Sequence, residues 1–70
     1  MERTIATKIA KRLRELRKQH NYTQEKLAEL SGVDYKHIQL LEGKNPPALR
    51  VDTLEKIAKA FNITPSELLK

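Results

Sequence analysis

His20 and His37 are the only soft metal ligands in this 70-residue, cysteine-free chain, and they stand far apart without a third partner of the same kind. A bound metal is therefore not expected. Ser31 and Ser66 have no His–Asp arrangement beside them, and Glu25, Glu29, Glu55 and Glu67 are scattered rather than paired around a cleft. The two glycines cannot form a phosphate-cradling loop. These absences argue against an enzyme and imply neither a cofactor nor a small-molecule ligand. One short stretch concentrates a different chemistry. Tyr35, Lys36 and Gln39, with Leu40 beside them, offer a phenol, a cationic donor, an amide that donates and accepts side by side, and an apolar tip.

The elements that must carry these side chains follow from apolar spacing. Ile5, Ile9, Leu13 and Leu16, with Ala6 and Ala10 beside them, form the core-facing stripe of an amphipathic first helix. Asn21, which tolerates the left-handed conformation, stops it. Thr23 caps a second helix over 24–31, with Tyr22 and Leu27 placed as a hydrophobic staple, and Gly32 ends it. Asp34 caps a third helix over 35–42, closed by Gly43. Lys44 to Ala48 is a connector, since adjacent prolines cannot continue a helix. Val51, Leu54, Ile57, Ala58 and Phe61 mark a fourth helix that stops near Asn62. Thr64-Pro65-Ser66-Glu67 reads as a capping box opening a short fifth helix with Leu68 and Leu69. The fold class is all-α, a five-helix domain spanning 1–70.

Helices two and three, joined by a short glycine-containing turn, form a helix-turn-helix corner. Ala28 gives room where the helices cross, Gly32 is free to take positive φ, and Ile38 with Leu41 anchors the third helix. Its other face is left open, able to enter a major groove.

Leu13-Arg14-Glu15-Leu16-Arg17, Tyr22-Thr23-Gln24-Glu25-Lys26-Leu27-Ala28, Ser31-Gly32-Val33, Ile38, Leu41-Glu42 and the run Leu54 to Thr64 occur in order. In this the chain resembles the Xre-type helix-turn-helix family of lambdoid phage repressors and Cro proteins, from about Ile9 to Leu69. The family often has glycine where Asn21 stands, usually has one residue between Glu42 and the glycine, and has a connector about one residue shorter.

The resemblance implies a lambda-repressor-like fold and sequence-specific binding of double-stranded DNA by a small transcriptional regulator, a repressor. The segment 34–42 is its recognition helix. Tyr35, Lys36, Gln39 and Leu40 become the base-contacting candidates: Lys36 suits guanine O6 and N7, Gln39 suits adenine, and Leu40 suits a thymine methyl. Thr23, Gln24, Arg17, His37, Lys44, Asn45 and Arg50 become phosphate-contacting candidates. Arg17 and Glu42 form a structural pair linking the first helix to the end of the recognition helix. Asp34 is read as a cap rather than a reader, and His20 as a residue at the end of the first helix.

The formal net charge of +5 fits a polyanionic partner, although it is unevenly spread. Residues 1–20 carry seven bases and two acids, and residues 21–70 carry seven of each. No segment reads as a signal peptide or membrane span, so the expected location is the cytoplasm, on the nucleoid. One recognition helix reaches only a few base pairs, so a weak homodimer, or one formed on DNA, is expected on a two-fold symmetric operator. Pairing is expected through the region after the recognition helix and through Leu68 and Leu69. The competing reading is a protein-interaction module, such as an antitoxin or co-activator domain, with secondary DNA contact.

Overall fold

The apolar stripe of the first segment winds into a helix, α1 (Thr4–His20), in the computed structural model, which describes residues 4–69. Glu2, Arg3 and Lys70, which entered the charge count, lie outside the described residues. Four shorter helices follow: α2 (Gln24–Ser31), α3 (Tyr35–Leu41), α4 (Val51–Ala60) and α5 (Pro65–Leu68). α2 packs against both α3 and α4, α5 rests on α4 and α1, and α1 also reaches α3.

Ile9, Leu13 and Leu16 of α1 meet Leu27, Ile38, Leu41, Ile57, Phe61 and Leu68 in one core. Burying each of these large side chains stabilises the fold by roughly 1.5–3 kcal/mol, the main compensation for chain entropy in so short a protein. Two expectations about the core need correction. Ile5 is 71% exposed: α5 is only four residues long, and its Leu68 closes over the core below, leaving the first turn of α1 uncovered. Pro46, placed by sequence in a connector and not among the core residues, is fully buried, and Leu49 also packs on the core. The connector is thus a packed strap between α3 and α4.

The helix ends follow local chemistry. Asn21 adopts φ 58° while its N–H donates to Lys18 C=O at 3.2 Å and the Tyr22 N–H to Arg17 C=O at 2.8 Å. Asn62, at φ 60°, repeats this with donation from Asn62 to Lys59 and from Ile63 to Ala58. Both are Schellman motifs built on asparagine. The Thr64–Glu67 capping box is complete, with both reciprocal bonds formed. α3 stops at Leu41, one residue earlier than the sequence suggests, with Glu42 as its C-cap.

Candidate nucleic-acid interface

The corner between α2 and α3 is set by four residues. The Ser31 hydroxyl accepts from Val33 N–H at 3.2 Å. Gly32 takes φ 75° as its N–H closes α2 onto Ala28 C=O at 2.9 Å. A side chain at that φ costs energy, so glycine is the natural occupant. Asp34 then caps α3 by accepting from Lys36 N–H at 3.1 Å, which keeps its carboxylate at the helix end. Thr23 does the same for α2, accepting from Lys26 N–H at 2.9 Å.

Ile38 and Leu41 are buried, which fixes the rotation of α3 about its axis. Tyr35, Lys36, Gln39 and Leu40 are exposed together on its other side. Gln39 Nε2 donates to the Tyr35 hydroxyl at 3.2 Å, an i,i+4 contact that orders both side chains. This uses one of two amide N–H groups. The other, with the carbonyl oxygen, still provides the donor–acceptor pair that adenine requires.

Behind this face lies an ionic clamp. The Glu42 side chain is 2% exposed and receives a bidentate fork from Arg17, Nε to Oε2 at 2.7 Å and NH2 to Oε1 at 2.8 Å. Gln24 Nε2 adds a third bond to Oε1 at 3.1 Å, and Arg17 NH1 donates to Tyr22 C=O at 3.0 Å. Hydrogen bonding to Glu42 raises the Arg17 pKa further above its ordinary value, outweighing the opposing effect of burial. The stabilisation carried by that shift is lost in strong alkali, as pH rises through the raised value. The clamp joins the end of α1, the start of α2 and the end of α3.

The structure brings the Arg17–Glu42 pair together, as the sequence suggests. It also places Gln24 differently: its amide is engaged with the buried carboxylate, leaving one side-chain N–H for any phosphate. Arg14 escaped the sequence reading, yet its NH1 donates to Glu42 C=O at 2.6 Å. Its position three residues before Arg17, on the same helix face, was the available signal. Lys44, Asn45 and Arg50 stand exposed along the connector, Arg50 with Nε 3.3 Å from Asp52 Oδ1, and His37 is half-buried on α3. Leu68, expected at a pairing surface, is fully buried because it closes the core between α1 and α4; only Leu69 beside it is exposed. His20 ends α1, its Nδ1 2.9 Å from Leu16 C=O and its ring against Tyr22 and Phe61.

Among the described residues no group of acidic, histidine or cysteine side chains could hold a metal, and no helix is long and apolar enough to cross a membrane. Residues 12–70 match the profile of the Cro/C1-type HTH DNA-binding domain. The crystal structure of the restriction-modification controller protein C.AhdI from Aeromonas hydrophila is similar to 94% of this chain and 98% of that one. The two are 35% identical and superpose with a TM-score of 0.86. No curated protein matches the chain significantly.

Proposed function

Because the chain belongs to the Cro/C1-type helix-turn-helix family of DNA-binding transcription regulators, we propose that it acts as a repressor, two copies reading a two-fold symmetric operator. The carrying observation is the division of α3 into a buried side, Ile38 and Leu41, and an exposed side, Tyr35, Lys36, Gln39 and Leu40. The exposed side enters the major groove. Tyr35 and Lys36, in its first turn, reach base edges, and Gln39 and Leu40 read one turn further on. Thr23 and Gln24 at the start of α2, Arg17, His37, and Lys44, Asn45 and Arg50 on the connector hold the phosphates that fix the register.

Pairing uses the strap after α3, where Pro47, Ala48 and the 71% exposed Val51 present apolar surface. The complex forms in the cytoplasm, on the nucleoid. The test is a binding titration on an operator obtained by selection from random duplexes. Binding is cooperative in protein concentration, weakens steeply with salt, and is abolished by about five base pairs inserted between half-sites, which turns one to the opposite face. Equal affinity for an isolated half-site, unchanged by the insertion, refutes the dimer. Absence of salt-dependent duplex binding favours a protein-interaction module instead.

A further inference from the structure

The uncovered first turn of α1 forms one wall of a groove whose other wall is α5. Its exposed apolar surface comes from Ile5 and Leu69, 71% and 45% exposed, which flank the buried Ile9 and Leu68. Lys8, Lys11 and Arg12 stand around it, opposed only by Glu15 among the lining residues. Arg12 is already drawn to the wall, its Nη2 3.5 Å from Glu67 C=O, while its Nε is buried with no acceptor among the described residues. Arg17, in the clamp behind α3, lies nine residues beyond Lys8, about 13 Å further along α1.

We infer that this groove is a docking site for a protein partner, through an acidic segment with one apolar face. The exposed side chains of Ile5 and Leu69 select against a nucleic-acid backbone, which has no comparable apolar edge to cover them. The basic rim selects for carboxylates, and a carboxylate at Arg12 offers that guanidinium the fork-shaped partner it lacks. A second copy of this chain fits poorly. Two-fold pairing of the groove with itself sets one basic rim of Lys8, Lys11 and Arg12 against another, where like charges repel. Docking another face of a copy into it is a head-to-tail contact, which gives a ring or a filament and not the two-fold pair proposed for operator binding. The groove gives the DNA-binding protein a second surface, through which a bound regulator can hold another protein beside its operator.

The experiment is a heteronuclear NMR titration of the whole chain with a helical peptide of about 16 residues. Leucines at i, i+3, i+4 and i+7 spacing form its apolar face, and glutamates flank it. Resonances of Ile5, Ile9 and Leu69 shift, and a peptide with lysine in place of every glutamate binds roughly tenfold more weakly or worse. In the Lys8→Glu/Lys11→Glu variant, whose two positions are exposed, that order reverses. No binding, equal binding of both peptides, or shifts confined to α3 overturn the inference. So do groove shifts that grow with the concentration of the chain alone, which assign the groove to a second copy. Groove shifts produced by duplex DNA overturn it as well, assigning the surface to nucleic acid.

Discussion

Lys36 is the side chain on which base preference should depend most visibly. It is exposed in the first turn of α3, and its ammonium is not committed to any ion pair among the described residues. Lys36→Ala should cost about 1–3 kcal/mol against the preferred operator and relax preference at one position of each half-site. Competition against operators varied base by base checks this; uniform weakening across all of them makes Lys36 a phosphate contact instead. Glu42 makes the contrasting case, because its own side chain is buried and it acts through Arg17, Gln24 and the Arg14 bond to its backbone carbonyl. Glu42→Ala leaves the Arg17 charge without its acceptor in a partly desolvated site, and loss of about 3–5 kcal/mol is expected. Thermal unfolding and operator affinity should fall together, and wild-type values for both contradict the clamp. The Arg17–Glu42 pair was legible in the sequence because charge complementarity and the family resemblance converge on it. The share of Gln24 was not, since an amide near a helix start fits a phosphate as well as a carboxylate. Only the packed corner shows the bond to the carboxylate.

Among the elements, the corner rests on Gly32. A Cβ there meets nothing within 4 Å, so the cost of Gly32→Ala is conformational and not a clash. The left-handed φ of 75° predicts roughly 1–2 kcal/mol of destabilisation, and Gly32→Asn should lose less. For a domain of this size that corresponds to a melting temperature lower by about 4–8 °C per kcal/mol, measurable by circular dichroism. At the far end, Thr64→Ala removes one half of the capping box and should cost about 1 kcal/mol without altering operator preference. Helix ends of this kind are readable in sequence because their chemistry is local: a donor, an acceptor or a tolerated φ within a few residues. Asn21, Gly32, Asp34 and the Thr64–Glu67 box all follow that logic. Ile5 and Pro46 do not, because the exposure of one and the burial of the other depend on elements distant in sequence. The stripe in α1 promises a buried Ile5, yet α5 is too short to cover it. Two adjacent prolines signal a loop, yet Pro46 packs inside.

At the scale of the whole molecule, size suits the proposed arrangement of one copy per half-site. The longest dimension is 32 Å, comparable to the ~34–36 Å between successive major grooves on one face of the duplex, so the two copies proposed would fit side by side. The proposed base contacts lie on α3, while the proposed phosphate contacts lie mainly on other elements. On that proposal, attachment to DNA and discrimination among sequences separate experimentally. The decisive measurement compares wild type with the Lys36→Ala/Gln39→Ala variant, each titrated at fixed physiological salt with the selected operator and with a scrambled duplex of the same length. Wild type should prefer its operator by at least about 10³-fold. The variant, with both substituted positions exposed and the core untouched, should lose most of that ratio while its affinity for the scrambled duplex changes little. An undiminished ratio in the variant, or no preference in the wild type, contradicts the assignment of sequence reading to the exposed face of α3.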